Sequence, residues 1–254
     1  LFPSPTKSGP DGATPGSGVA PLAAVFGATC AKVDGIVSCW GTWNYNPTVS
    51  IDPIALSGLY GHFCAVSSAG AAYCWREELL GVGEGKAPPI VTVTEGLTAN
   101  VTAISAGRNQ SCAVMAGEAY CWGLNTYGML GDGSTEERYS PVKVVGLPGR
   151  VEQISTGLDS TCATVEGAIY CWGNNDYGQL GNGTTDERLT PVQVPGFGSG
   201  ARSVTVGYSF ACGIVNDRLY CWGRNSSAVL GYTSELDTCL ELPCSRLPRE
   251  VLFP

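Results

Sequence analysis

The chain has 254 residues and a net charge of −8, and 14% of its residues are charged against 44% hydrophobic, where an average soluble domain carries about 25% charged residues. Material for a sizeable core is present, and an acidic surface without a basic cluster excludes phosphate-backbone binding, so no nucleic-acid partner is expected. No apolar run approaches the roughly 20 residues of a membrane-spanning helix, so no membrane span is expected.

Residues 1–18 (LFPSPTKSGPDGATPGSG) are rich in Pro, Gly and Ser without periodicity, and read as a tail or linker. The start at Leu1, with neither initiator Met nor signal peptide, reads as a processed or excised end. From residue 19 to 254 a repeat takes over. A hairpin framed by two cysteines and followed by Trp recurs as TCAKVDGIVSCW, FCAVSSAGAAYCW, SCAVMAGEAYCW, TCATVEGAIYCW and ACGIVNDRLYCW. The second cysteines, Cys39, Cys74, Cys121, Cys171 and Cys221, are 35, 47, 50 and 50 residues apart, the range of repeat arrays and propellers.

The cysteines state a register. In the third copy the midpoint between Cys112 and Cys121 falls at Ala116-Gly117, a two-residue turn of the kind that needs positive φ. Asp34-Gly35, Glu166-Gly167 and Asn216-Asp217 occupy the same place. Counting outward pairs Met115 with Glu118, Val114 with Ala119, Ala113 with Tyr120, and Cys112 with Cys121. The cysteines thereby sit at a non-hydrogen-bonded position, with Cα atoms about 4.5 Å apart, near the lower limit of a disulfide. The second copy has one residue more, which a three-residue turn at Ser68-Ala69-Gly70 absorbs while Cys64 still faces Cys74. Five bridges are expected: Cys30 to Cys39, Cys64 to Cys74, Cys112 to Cys121, Cys162 to Cys171 and Cys212 to Cys221. Cys239 and Cys244 fit a sixth, in a loop. Twelve cysteines in local pairs point to an oxidising compartment, extracellular or cell surface. With one histidine and no knuckle spacing they do not point to zinc.

Each repeat reads as an apolar strand (VTAISAG at 101–107), two hairpin strands, a glycine-rich loop and a fourth strand opened by proline. Units of about 50 residues with four short antiparallel strands describe a propeller blade. The expected fold is all-β: a β-propeller of about five four-stranded antiparallel blades, with one intrablade disulfide per blade. CWGLNTYGMLGDGSTEERYSPVKV and CWGNNDYGQLGNGTTDERLTPVQV resemble the repeats of the regulator of chromosome condensation family, a Trp-Gly-x-Asn-x-x-Gly-Gln-Leu-Gly-x-Gly loop followed by a Pro-led strand. The first repeat lacks the Leu-Gly-x-Gly loop, the second has Arg76 after its Trp, and the fifth follows Leu230-Gly231 with a cysteine-bearing insert. The family's propellers commonly have seven blades, so five repeats imply a five-bladed ring, or an array left open or completed by another chain. The segment LPREVLFP is a candidate last outer strand. The resemblance implies action by protein contact, while a nuclear role does not suit an acidic, disulfide-laden chain.

Candidate sites are few. Trp40, Trp75, Trp122, Trp172 and Trp222 hold one repeat position, where an indole packs between blades. Trp43, with Tyr45 beside it, lies outside the repeat and is a candidate binding surface. His62 falls where the family's repeats often use His for hydrogen bonding, and no nucleophile or orienting acid accompanies it. Glu136-Glu137-Arg138 and Asp186-Glu187-Arg188 read as loop charges, since calcium takes six to eight oxygens and each run carries its own Arg. Sequons at Asn100, Asn109, Asn182 and Asn225 are glycosylation candidates, with Asn182 set apart by its place in a turn motif. Glycosidase propellers pair carboxylates at the central channel, but on the first strands Glu152 is the sole acid. Ala23, Ser57, Ser105, Ser155 and Thr205 are small enough for the narrow axis of a five-bladed ring. No catalytic residue, metal or cofactor is expected.

The leading expectation is a non-catalytic extracellular interaction or structural module, including a subunit of an extracellular assembly or filament. A soluble inhibitor or ligand-binding propeller acting on one protein target is the alternative, and a glycan-binding or glycan-active propeller the third. Protein partners or self-assembly are expected, with glycan as a further candidate ligand.

Overall fold

The computed structural model describes residues 22–25, 28–33, 36–41, 51–59, 62–76, 92–234 and 236–252. All regular structure among them is β, in five antiparallel sheets that follow one another along the chain. The first holds β1 (Leu22–Val25), β2 (Ala28–Val33) and β3 (Ile36–Gly41). The second holds β4 (Pro53–Leu59), β5 (His62–Ser67), β6 (Ala72–Arg76) and β7 (Thr92–Val93). The third holds β8 (Val101–Ala106), β9 (Gln110–Met115), β10 (Glu118–Gly123) and β11 (Arg138–Lys143). The fourth holds β12 (Val151–Thr156), β13 (Ser160–Val165), β14 (Ala168–Gly173) and β15 (Arg188–Gln193). The fifth contains β16 (Ala201–Val206), β17 (Phe210–Val215), β18 (Arg218–Arg224), β19 (Asp237–Cys239) and β20 (Leu242–Glu250).

The hairpin register is the one the cysteine spacing predicts. Met115 faces Glu118, Val114 faces Ala119, Ala113 faces Tyr120 and Cys112 faces Cys121. Ala116 and Gly117 take φ of 54° and 83°, and Glu166-Gly167 and Asn216-Asp217 are likewise both positive. That is the backbone twist a two-residue hairpin turn requires. The longer second copy turns through Gly70 at φ 78°, with Cys64 still opposite Cys74. Six disulfides result, and the five blade bridges span Cα separations of 4.0–4.1 Å.

The fifth blade departs from four strands. Its order is β16-β17-β18-β20-β19, because the insert after Gly231 folds as a hairpin through Leu240 and Glu241, both at positive φ. The Cys239–Cys244 bridge therefore ties two strands rather than closing a loop. The outer strand β20 carries Leu247–Glu250, the start of the C-terminal segment, against Tyr220 and Cys221 of β18. The fourth strand of the first repeat and the tail at 1–18 lie outside the described residues.

Blades pack face to face in chain order through four apolar clusters, joining the first to the second, second to third, third to fourth and fourth to fifth. Because Cys and Trp are adjacent on one strand, they point to opposite faces. Disulfides face the following blade and tryptophans face the preceding one: Cys112 and Cys121 share a cluster with Trp172, and Cys162 and Cys171 share one with Trp222. The first strands add hydrogen bonds at each later joint. The amides of Ala106, Thr156 and Val206 donate to the hydroxyls of Ser57, Ser105 and Ser155, at 2.9, 2.9 and 3.0 Å. Positions notable in sequence for small size thus carry polar links from blade to blade.

Candidate protein-interaction face

In the third, fourth and fifth blades two kinds of loop share one end: the short turn after the first strand, and the long glycine-rich loop after the third. The long loops are built by one asparagine each. Asn125, Asn175 and Asn225 are buried, and their side-chain carbonyls accept from the amides of Leu130, Leu180 and Leu230 at 2.9, 3.0 and 3.0 Å. The amide nitrogen holds the other side of the loop: Asn125 donates to Ser134 O, Asn175 to Thr184 O and Asp186 O, and Asn225 to Tyr232 O. Buried amides satisfied on both sides fix a loop that would otherwise carry orphaned polar groups. Gly131 and Gly181 complete it, at φ 70° and 67°. A side chain at either would meet the indole nitrogen of Trp172 or Trp222 at 2.7 Å.

On this scaffold the described loops present Arg108, Asp159, Asp176, Tyr177, Tyr208 and Arg224. Arg224 of the fifth blade lies over the Tyr177 ring of the fourth, 5.1 Å from its centroid. Burial pushes the Asp159 carboxyl up, the Arg108 guanidinium draws it down, and Asp176 pushes it up further. Asp176 is itself held by the loop, accepting from Asn174 Nδ2 at 2.9 Å. Charges and rings from three blades therefore meet on one face.

The sequence candidates are placed as follows. His62 joins two blades: its Nδ1–H donates to Gly107 O at 3.3 Å, leaving Nε2 to accept from the Ser111 hydroxyl at 3.1 Å. His62, Cys64 and Cys74 lie close together, but both sulfurs belong to one disulfide, so the group offers a metal one imidazole nitrogen rather than three ligands. The loop charge runs differ between blades. Asp132 is occupied by its own blade: Arg138 Nε donates to Oδ2 at 2.9 Å, and the Ser134 amide and hydroxyl donate to Oδ1. Burial alone would raise the Asp132 carboxyl, but these donors and the Arg138 charge hold it below the usual range. In the next blade Asn182 stands at this position and Arg188 reaches Asp186 at 3.9 Å. Glu152 sits at the opposite end, accepting from the Gly167 amide.

Among the sequons, Asn100 is exposed, at φ 60°, and Asn109 is half-buried. Asn182 accepts from the Thr184 amide and hydroxyl at 3.1 and 2.9 Å. Asn225 is 3% exposed, and the nitrogen a glycan would take is the one donating to Tyr232 O. The sequence ranking, which set Asn182 apart and kept Asn225, missed that the repeat itself uses Asn225 as a loop-building amide. Trp43 and Tyr45 lie outside the described residues. The residues that sequence reading missed, Arg108, Asp159 and Tyr208, lie in short turns without any motif of their own. Their signal is positional, falling between the first two strands of each repeat.

Comparison with known proteins agrees with this geometry. The Regulator of chromosome condensation (RCC1) repeat matches residues 116–164 and 166–214, and a second description of the same repeat matches 151–179. The chain carries regulator of chromosome condensation repeats. Over 99 residues the repeats are 32% identical to the human E3 ubiquitin-protein ligase HERC2, a match that takes in 34% of this chain and 2% of that protein. Human WBSCR16 superposes with a TM-score of 0.73 at 19% identity, over 92% of this chain and 67% of that one. Yeast RCC1 (Prp20), solved bound to Kap60, also gives 0.73 at 19% identity, over 91% of this chain and 60% of that one. A structure of Saccharomyces cerevisiae Prp20p is described together with its binding to Gsp1p and histones. These likenesses establish the propeller fold, and the chain spans 60–67% of these solved relatives.

Proposed function

We propose that the chain is a non-catalytic, extracellular protein-interaction propeller that engages its partner with the face bearing the glycine-rich loops. The observation that carries this reading is the convergence of Arg108, Asp159, Tyr177 and Arg224 from three blades onto one face, the longer loops among them fixed from within by the buried amides of Asn175 and Asn225. Such a face offers charge and aromatic area without having to order a loop on binding, which lowers the entropic cost of association. Support comes from the relatives, since Prp20 is described as binding Kap60, Gsp1p and histones. Similarity at 19% identity carries the mode of action and not those partners. The six disulfides support an oxidising location. The Asp176 carboxylate is held by Asn174 of its own loop, which favours a positioning role for it over chemistry.

The test is crosslinking mass spectrometry on the full chain in extracellular material from its source. Crosslinks are expected to concentrate on the loop face, and Arg108→Glu combined with Tyr177→Ala should remove them while leaving the melting temperature unchanged. Crosslinks spread evenly over both ends of the blades, or indifferent to the substitutions, would overturn the reading.

A further inference from the structure

The fold treats the asparagines of the four sequons differently. Asn225 belongs to a series in which the repeat uses the side chain. Asn125, Asn175 and Asn225 each accept from a leucine amide and donate across the long loop, so the fold accounts for asparagine at all three. Asn182 is engaged as well, its Oδ1 accepting from Asn175 Nδ2 at 3.2 Å and from the Thr184 amide and hydroxyl. Asn109 is half-buried in the short turn beside Arg108, so it stands at the loop face.

Asn100 precedes the first strand of its blade, at a position where the repeat uses the backbone. Its carbonyl accepts from the Ala116 amide at the tip of the β9–β10 hairpin, as those of Asp52, Arg150 and Gly200 accept from Ser68, Glu166 and Asn216. Side chains as unlike as those of Asp, Asn, Arg and Gly share this place, so the blade prescribes no side-chain contact there. Asn100 is exposed, and among the described residues its side chain makes no hydrogen bond. A φ of 60° suits asparagine on its own account, but it does not account for Thr102. That residue is exposed at the bulge of β8, where Ile54, Glu152 and Arg202 stand in other blades. Its hydroxyl donates to Val114 O at 3.4 Å, a contact that Ile54 and Glu152 do not copy. Asparagine and threonine therefore coincide, two residues apart, at two positions whose side chains the repeat does not prescribe. Around them Ser68, Ala69, Thr98, Ala99 and Ala116 are exposed and small, which leaves room for a bulky substituent.

We propose that Asn100 carries an N-linked glycan at the end of the blades opposite the loop face. The chemistry is transfer of an oligosaccharide from a lipid pyrophosphate carrier. Asn100 Nδ2 forms a bond to the anomeric carbon of the first sugar as that carbon's bond to the pyrophosphate oxygen breaks. The amide gives up one proton and the lipid pyrophosphate leaves. The proposal rests on the extracellular reading above for its location, and goes beyond it by naming the modified atom and the face it occupies. β8 runs six residues, Val101–Ala106, before the turn that holds Arg108, about 20 Å of strand. A glycan on Asn100 therefore leaves Arg108, Asp159, Tyr177 and Arg224 clear for a protein partner. On Asn109 it would rise beside Arg108, and on Asn225 it would take the nitrogen that closes the long loop.

To test this, the full chain is expressed behind a secretory leader in a eukaryotic host, and the secreted protein is treated with a glycan-releasing amidase in heavy-oxygen water. Peptide mass spectrometry should find Asn100 converted to heavy-labelled Asp, with Asn109, Asn182 and Asn225 unconverted. Asn100→Gln should abolish the gel shift that the amidase produces. Thr102→Ala, which keeps Asn100 and removes the sequon hydroxyl, should abolish it too, and it serves should Asn100→Gln fold poorly. A secreted chain bare at Asn100, or one modified at Asn109, Asn182 or Asn225, overturns the proposal. Protein from the natural source then separates site from location. Asn100 glycosylated there supports both, whereas Asn100 bare there but modified in the host overturns the proposal through the extracellular location it rests on, not through the geometry of the site.

Discussion

At the scale of single residues, equivalent loop positions carry different chemistry on one backbone. Asp132 and Asn182 both accept from a Ser or Thr two residues on, but only Asp132 draws its Arg into a close ion pair, at 2.9 Å. Asp132→Asn therefore keeps the turn and removes the pair. Because the pair is half exposed on the arginine side, the expected cost is about 1 kcal/mol at neutral pH. The sign follows from the depressed Asp132 carboxyl. A carboxylate whose folded pKa lies below its unfolded value of about 3.9 contributes stability that is fully present above that value and lost as pH falls through the folded pKa. Denaturant titrations at pH 7 and in the acid range check this. The gap between wild type and variant should be open at pH 7 and shut in acid, and a gap independent of pH would assign the effect to the turn instead.

At the scale of elements, the hairpin is where sequence was most telling, and its disulfide shows why. A bridge between adjacent strands admits one register and one facing pair, and the turn residues admit one twist. Counting from Ala116-Gly117 therefore reached the observed pairing of Cys112 with Cys121 without further information. Other features depend on neighbours the local pattern does not name. That Trp faces back and Cys faces forward is decided by blade order, and the fifth strand of the last blade is decided by how the Cys239–Cys244 insert pairs with β20. The Arg108 and Asp159 turns carry no repeat signature at all. Replacing Cys162 and Cys171 together by alanine should cost about 2.5 kcal/mol from release of a loop of roughly ten residues, read as a lowered denaturation midpoint. Both sulfurs lie in the cluster that holds Trp222, so the loss should appear at the joint of the fourth and fifth blades. Wild-type protein in reductant should lose more, since five other bridges open with it.

At the scale of the whole molecule, the bridges lie within blades, so cohesion between blades rests on packing and on a few hydrogen bonds. That is the nearest-neighbour situation of a repeat array, in which total stability is a sum of units and joints rather than one shared core. Position along the array should therefore govern the cost of losing a tryptophan. Trp222→Ala empties a fully buried site bounded by Leu180, Phe197 and Val204 and leaves Gln179 O without its donor, so about 3–5 kcal/mol is expected. Trp40→Ala removes a ring that is 53% exposed and should cost less than about 1 kcal/mol. The Trp222 loss should also be local. With Cys212 still bonded to Cys221 the β17–β18 hairpin keeps its register, so the fifth blade should undock as a unit while the third, two joints away, stays packed. Native-state hydrogen exchange distinguishes this from a single cooperative core. In Trp222→Ala the amides of β16 and β17 should exchange faster while those of β8 and β9 keep wild-type protection, and equal acceleration in both blades would mean that the array folds as one unit after all.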